Sequence, residues 1–451
     1  MLTKRSNGAA TGSRLTKALS GVVGGAVDRR TFLKRSGLAA GGLAAAASLS
    51  GGLVQKAEAQ AAKAEVKFIK NICTHCSVGC TIGAEVQNGV WIGQEPVFES
   101  PLNLGAHCAK GAAIREHAHG ERRLKYPMKL VAGKWTRLSW DQAINEIGDK
   151  MLDIRKKSGQ DSVYWQGSAK FSNEQAYLLR KFGAFWGSNN IDHQARICHS
   201  TTVAGVAQTW GYGAMTNSYN DIHKSKLIFM IGSNAAEAHP VAMMHILKGK
   251  EQNGAPLIVC DPRFTRTAAH ADEYVRFRPG TDVALIWGIL GQIFENGWED
   301  KEYIKKRVWG MDAVRAEVKK WTPEETERVT GVPASQIKRV ARTMANNRPG
   351  TLIWCMGGTQ HTVGNANVRA YNCLQLALGN IGVSGGGANI FRGHDNVQGA
   401  TDLGLDVSTL PGYYGLIPGA WAHWSRVWDV SMDYLKGRFP NEASHSCVPR
   451  N

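Results

Sequence analysis

The sequence is short of acid: 37 Asp and Glu stand against 54 Lys and Arg in 451 residues, a formal net charge of +17. It is also short of proline, with 14, and it has no low-complexity tract. A disordered or collagen-like chain is thereby excluded, and the 51 glycines point instead to many loops. Outside the N-terminal segment no apolar run has the length and hydropathy of a membrane span. There is no Gly-x-Gly-x-x-Gly after a first strand and no Walker A sequence, so a plain nicotinamide or ATP site has no support. Nor is the basic excess a nucleic-acid footprint. Residues 1–59 hold nine Lys and Arg and two Asp and Glu, which places +7 there and leaves +10 for the rest. That remainder is dispersed, whereas nucleic-acid binding needs a localised stripe. With 43% hydrophobic residues, the length allows two to three domains, each with its own core.

The N-terminus has the layout of an export signal. Arg29-Arg30 with Phe32, Leu33 and Lys34 precedes an uncharged Gly/Ala/Leu/Ser run from Ser36 to Gln55 and ends in Ala57-Glu58-Ala59. This pattern is of the twin-arginine class, with mature protein expected from Gln60 and a periplasmic location. The alternative is a basic arm before an Ala-rich helix. Residues 60–125 follow as a small separate domain.

Nine cysteines fall into two groups. Cys73, Cys76, Cys80 and Cys108 cluster early; Cys198, Cys260, Cys355, Cys373 and Cys447 are scattered. A chain this long needs no disulfide staples, and an odd count leaves one thiol unpaired. The early group reads Cys-x2-Cys-x3-Cys, with Cys108 after 27 further residues. Three thiolates so close in sequence can wrap one face of a 4Fe-4S cube, and Gly79 and Gly83 allow the tight turns. A zinc site more often shows two matched short pairs, although zinc remains an alternative here. Lys110, two residues after the fourth thiol, is either a solvated lysine or a cation between the cluster and a neighbouring anionic group.

From Lys125-Tyr126-Pro127 onward strand and helix patterns alternate. Helical apolar spacing over 140–156 puts Ile144, Ile147, Met151 and Ile154 on one face, and 171–186 is a second such helix. Short strand patterns at 162–167, 226–231, 256–260, 274–277 and 351–356 are interleaved with helices, the last from 363 to 378. This predicts an α/β fold with mostly parallel sheets covered on both faces. Glycines and polar residues recur after the strand ends, where ligands bind in open α/β sheets. Several such loops suit a long, multi-phosphate ligand lying across two lobes.

Cys198-His199, in the Gly/Ser/Thr-rich stretch QARICHSTTVAGVAQTWGYGAM, is either a buried thiol beside a hydrogen-bonded imidazole or a reactive, metal-ligating pair. The twin-arginine leader, the four early cysteines, Lys110-Gly111, Ala195–His199 and the run Arg392-Gly393-His394-Asp395-Asn396-Val397-Gln398-Gly399-Ala400 together resemble the catalytic subunit of molybdenum- or tungsten-dependent formate dehydrogenases. The likeness is greatest to the exported, membrane-associated respiratory type and runs to about Arg438.

The resemblance implies a small N-terminal 4Fe-4S domain followed by two Rossmann-like αβα lobes. Residues 126–193 would form part of the first lobe and 194–394 the second, with 395–451 returning to the first. It implies a bis(molybdopterin guanine dinucleotide) cofactor with molybdenum or tungsten. Cys198 would ligate the metal, a thiolate being a suitably soft donor. His199 would accept or relay a proton, Arg392 would hold the formate carboxylate, and Lys110 would lie between cluster and pterin. Gly232, Asn234, Asp261, Arg263, Gly280, Asp282, Gly357, Gln360 and His361 match the loops that hold the pterin nucleotides. An iron–sulfur beta subunit and a membrane cytochrome subunit are implied as partners.

Relatives of this family run several hundred residues further and complete the first lobe. In the present sequence the likeness stops matching over 439–451, which includes Ser446-Cys447. A separately encoded C-terminal portion, or an incomplete lobe with an exposed sheet edge, is therefore expected. Two other functions compete: another bis-pterin oxidoreductase such as a periplasmic nitrate reductase, and a non-catalytic electron-transfer fragment. Ser200 and Thr201 stand where Gly-Pro often follows the Cys-His pair in the family.

Overall fold

The computed structural model describes residues 65–439. The expected export signal and the tail containing Cys447 lie outside the described residues. Among the described residues, those from Lys67 onward form one compact unit.

A three-stranded antiparallel sheet comes first: β1 (Lys67–Ile72), β2 (Thr81–Gln87) and β3 (Val90–Pro96). Two antiparallel strands, β4 (Met128–Val131) and β5 (Lys134–Arg137), make a hairpin before the helix Trp140–Ser158. Ser139 starts that helix by accepting the Gln142 N–H at 3.1 Å. Next come β6 (Trp165–Gly167), the helix Asn173–Trp186 and β7 (Ile191–His193), with β6 and β7 pairing in parallel. Ser172 and Gln175 close a reciprocal capping box on the helix between them.

The main sheet is built from β8 (Leu227–Ile231), β9 (Leu257–Cys260), β10 (Glu273–Val275), β11 (Gly350–Trp354) and β12 (Ala388–Ile390). Every pair in it is parallel, and the order is β10-β9-β8-β11-β12. Strands β8, β9 and β11 are buried along their whole length, because helices cover both faces. Successive residues alternate between two cores. Leu227, Phe229, Ile231, Leu352 and Trp354 join the helices Asp282–Glu295 and Gly364–Ala377. Ile228, Met230, Leu257, Val259 and Ile353 join the helix Pro240–Asn253 on the opposite face. The second core also includes Cys73, Val78, Cys80, Ile82 and Ile114, so the early cysteine domain packs against this face of the sheet. A short antiparallel pair, β13 (Thr409–Leu410) and β14 (Tyr414–Gly415), follows the helix Val397–Asp402.

Several expectations are corrected. The strand expected at 162–167 begins only at Trp165, since Gln160–Ser162 turns as a 3-10 helix. The strand expected to reach Met356 stops at Trp354, and Met356 opens the short helix Met356–Thr359. The strand expected at 274–277 is Glu273–Val275. The first lobe, expected only in part, contributes a two-stranded parallel sheet among the described residues. Helix Trp140–Ser158 forms as expected, yet Ile144 and Ile147 on its apolar face are 61% and 60% exposed. Periodicity states which face wants burial but not whether another element covers it. Ala176, Ile191, Ala400 and Leu405 form one small core, which brings the chain after residue 395 back onto the first lobe. Among the described residues no helix is long and apolar enough to cross a membrane.

Candidate active site

The four early cysteines converge at one end of the antiparallel sheet. Cys73 follows β1 directly and Cys80 precedes β2, and the Cys73 N–H donates to the Cys80 carbonyl at 2.8 Å to close the loop. Gly79 turns within it at φ 64°, a conformation open to glycine without a side-chain penalty. Cys108 stands at the N-terminal end of the helix Ala109–Ala112. Burial and the three neighbouring thiols push the Cys80 thiol up to about 12. Among the described residues no three His, Cys, Asp or Glu side chains close tightly enough for a single ion. Four convergent thiols with this spacing suit the corners of an iron–sulfur cube. His75 reaches the Cys73 sulfur through Nδ1 at 3.6 Å.

This loop is tied to the end of β12. Ser77 donates its N–H to the Gly393 carbonyl at 3.2 Å and its hydroxyl to the Arg392 carbonyl. The Tyr219 hydroxyl meets Ser77 Oγ at 2.9 Å, and His239 donates to the Arg392 carbonyl at 2.5 Å. Lys170 reaches the carbonyls of Thr74 and His75 and pairs with Asp395 at 3.0 Å. None of Ser77, Lys170, Tyr219 and His239 was singled out from sequence, because their importance arises only from these long-range contacts.

Cys198 and His199 lie at a junction of two helices, Ala195–Cys198 and Ser200–Trp210, rather than in an open loop. The small and hydroxylated residues of this stretch are helical, and Gly205 sits where a Cβ would press on Val368 at 2.8 Å. Burial raises the Cys198 thiol, while Arg392 and the Gly393 backbone oppose that shift. His199 is 5% exposed, and neither ring nitrogen has a hydrogen-bond partner. Burial, then the Arg392 and His193 charges, lower it to about 3, so the ring is neutral at ordinary pH. Arg392 is 6% exposed; it donates Nη2–H to the Gly213 carbonyl and leaves Nη1 without a partner. Cys198, His199 and Arg392 thus meet although Cys198 and Arg392 are 194 positions apart in the sequence.

The strand ends gather beside them. The order β10-β9-β8-β11-β12 reverses direction between β8 and β11, the place where a crevice opens in such sheets. Gly232 ends β8 and Gly357 follows β11, with the Gly357 N–H on the Gly232 carbonyl at 3.0 Å. A Cβ on Gly357 would lie 2.6 Å from Gly232 Cα, so the two backbones touch. Gln360 donates to the Ile197 carbonyl at 3.1 Å and Trp354 to Thr202 at 3.2 Å, fastening this loop to the Cys198 segment. Between these two bonds lies Cys355, whose thiol burial pushes up to about 11. His361 donates to the Gly357 carbonyl at 2.6 Å.

On the other side of the crevice Asn234 bridges Glu237 at 2.5 Å and Thr267 at 2.8 Å. The Asp261 carboxylate caps the Arg263 N–H at 2.9 Å, leaving the Arg263 guanidinium exposed. Gly280 is exposed at φ 82° with open space around it. Lys110 is exposed and reaches the Glu237 carbonyl at 3.5 Å, so it does stand between the cysteine domain and a strand-end loop. Asp282 differs from the rest: it is 2% exposed, accepts from the Tyr371 hydroxyl at 2.9 Å, and faces the core.

The chain matches the molybdopterin oxidoreductase family model over residues 123–415 and the molybdopterin oxidoreductase Fe4S4 domain over 66–120. It belongs to the molybdopterin oxidoreductase family. A 4Fe-4S cluster and a molybdopterin cofactor are the groups of this family, and the residues present fit both. Four convergent thiols suit the cluster, while a glycine-lined crevice and a half-buried thiol beside two unpartnered buried nitrogen groups suit the pterin and its metal.

Among similar proteins, the chain is 35% identical to the major subunit of the nitrate-inducible formate dehydrogenase of Escherichia coli, matching 86% of this chain and 46% of that one. It is 35% identical to formate dehydrogenase H of the same organism, over 85% and 55% respectively. The solved acetylene hydratase from Pelobacter acetylenicus superposes with a TM-score of 0.63 at 27% identity, covering 71% of this chain and 44% of that one. The chain spans about half the length of the curated relatives it matches.

Proposed function

We propose that this chain carries the catalytic centre of an exported formate dehydrogenase that oxidises formate to carbon dioxide, one proton and two electrons. The observation that carries this is the meeting of Cys198, neutral His199 and buried Arg392, whose Nη1 has no partner within the chain. A guanidinium with free N–H groups in a water-poor pocket suits a planar carboxylate. It would hold the anion with its C–H toward the Cys198 side, so that orientation is set before any bond breaks.

The bound bis-pterin centre, with molybdenum or tungsten, would supply a two-electron acceptor. Cys198 would be its thiolate ligand. The crevice residues Gly232, Asn234, Asp261, Arg263, Gly280, Gly357, Gln360 and His361 would line the nucleotide arms, with Asp282 supporting them from beneath. His199 is neutral with unpartnered ring nitrogens, and because burial and Arg392 disfavour its protonated form it would pass on the proton released at the substrate rather than hold it. Lys110 links the cysteine domain to the strand-end loops, which supports electron exit by way of the 4Fe-4S cluster.

The onward acceptors would be an iron–sulfur beta subunit and a membrane cytochrome subunit, on the periplasmic side after twin-arginine export. The exposed apolar face of the helix Trp140–Ser158 supports a further C-terminal portion, supplied by the same or another polypeptide, as a partner.

The test is dye-linked turnover of the metal-loaded complex with formate and, separately, with nitrate. Formate oxidation is expected in the wild type. Cys198→Ser is expected to keep the iron–sulfur spectrum and lose turnover. Nitrate reduction without formate oxidation, or an active Ser variant with normal metal content, overturns the proposal; absence of pterin from the purified complex reduces the chain to an electron carrier.

A further inference from the structure

Arg392 has two neighbours that neither the family motif nor the sequence singled out. Consecutive residues hold them together. Gly213 accepts the Arg392 guanidinium through its carbonyl, and Tyr212 packs its ring edge-on against Tyr413, with centroids 6.1 Å apart. Tyr413 stands between β13 and β14 at φ 62°, a left-handed conformation that bulky side chains rarely adopt. Its turn is pinned by the Gly412 N–H on the Asp402 carbonyl at 2.6 Å. Asp402 is the last residue of the helix Val397–Asp402, anchored to the Cys198 region because His193 binds Thr401 at 3.0 Å.

Arg392 Nη1, the Tyr413 hydroxyl and Asp402 Oδ1 are buried beside one another, none in a well-formed hydrogen bond, and the Tyr413 hydroxyl is shared loosely between Asp402 and Arg392. The groups are near enough to shift one another. Tyr413 and Asp402 favour the charged Arg392, and Arg392 and Tyr413 favour the charged Asp402. Two loosely held donors beside one carboxylate form an incomplete set, since buried donors are ordinarily fully satisfied. A small planar monoanion entering between Arg392 and Tyr413 would complete it. A tyrosine in a left-handed turn whose hydroxyl is only loosely engaged by Asp402 and Arg392 points to that purpose rather than to packing, which phenylalanine would serve equally.

We propose that Tyr413 is a second substrate-contacting residue, its hydroxyl donating to the carboxylate held by Arg392, and that Asp402 positions the Arg392–Tyr413 pair. The proposal rests on the assignment of Arg392 as the anion-holding group. Tyr413→Phe removes one oxygen and keeps the ring that packs on Tyr212. In the metal-loaded complex it should raise KM for formate about tenfold with little change in kcat, the signature of a lost uniform binding contact. The calorimetric Kd of azide, an unreactive monoanion, should rise by a similar factor. Asp402→Asn should lower kcat as well as weaken azide binding, while thermal stability stays near wild type.

Unchanged KM and azide Kd in Tyr413→Phe would overturn the role of Tyr413; an Asp402→Asn complex with wild-type values would overturn that of Asp402. Azide binding decides the matter without turnover. A wild-type complex that fails to oxidise formate therefore defeats the functional proposal alone, and weakened azide binding in Tyr413→Phe would still uphold this one.

Discussion

The close approach of β8 and β11 can be measured with two alanines. Gly232 and Gly254 share φ 62°, so an alanine at either position pays the same left-handed backbone cost. Their surroundings differ completely. A Cβ at Gly254 meets nothing within 4 Å, whereas at Gly232 it would lie 2.4 Å from the Gly358 nitrogen and 2.6 Å from the Gly357 carbonyl carbon. The obstacle is backbone, which cannot rotate away. For Gly254→Ala the backbone cost of ~1–2 kcal/mol is partly offset by the lower entropy of the unfolded chain, leaving about 1 kcal/mol. Gly232→Ala adds an overpacking cost of about 1–3 kcal/mol, because the β11 loop must move. The difference between the variants should therefore be about 2 kcal/mol, read as a lower urea midpoint at unchanged m-value. Gly232→Ala should also lose bound pterin, since the displaced loop carries Gly357, Gln360 and His361, while Gly254→Ala should keep it. Equal destabilisation of the two variants, or full pterin content in Gly232→Ala, would refute the claim that backbone contact shapes the crevice.

Cys80→Ser should remove the brown iron–sulfur absorbance and bring iron from about four per cluster to near none. Because burial and its neighbours hold the Cys80 thiol protonated, loading the metal-free chain with iron and sulfide should release protons, which a lightly buffered indicator would detect. His199 gives a pH signature. Its imidazole is lowered from 6.5 to about 3 in the fold, so the unfolded chain binds the extra proton and stability falls as pH drops below 6.5. Between pH 6.5 and 5 the stability advantage of the wild type over His199→Gln should shrink by roughly 1–2 kcal/mol, at up to 1.36 kcal/mol per pH unit. Parallel urea curves across that range would show that His199 is not held neutral.

Local patterns carried much of the fold. Runs such as Leu227–Ile231 and Leu257–Cys260 read as buried parallel strands because continuous apolar residues serve both faces of a covered sheet. The cysteine spacing marked the cluster loop, since three thiols within eight residues can reach one ligand however the remaining chain folds. Cys198 and His199 are visible in the sequence as a pair, but the Gly/Ser/Thr-rich stretch around them does not reveal that they sit between two helices. Their small neighbours suit close helix packing as well as flexibility, and the difference depends on a partner such as Val368. The family resemblance groups Asp282 with the nucleotide-holding loops, yet its carboxylate turns to Tyr371 in the core.

Local elements and chemical inventory are legible in the amino-acid order: strand runs, helix periods, a four-thiol loop, a Cys-His pair and a late arginine. Each depends on neighbours a few residues apart. Which of them meet is set by packing between distant segments. Ser77 and Arg392 are joined across 315 positions, Gly232 touches Gly357, and Tyr413 turns toward Arg392 in a strained conformation. The same packing left the apolar face of Trp140–Ser158 uncovered. Backbone torsions answer to nearby residues, but contact between distant segments is set by how layers stack over a shared core, and no periodicity in the chain records that.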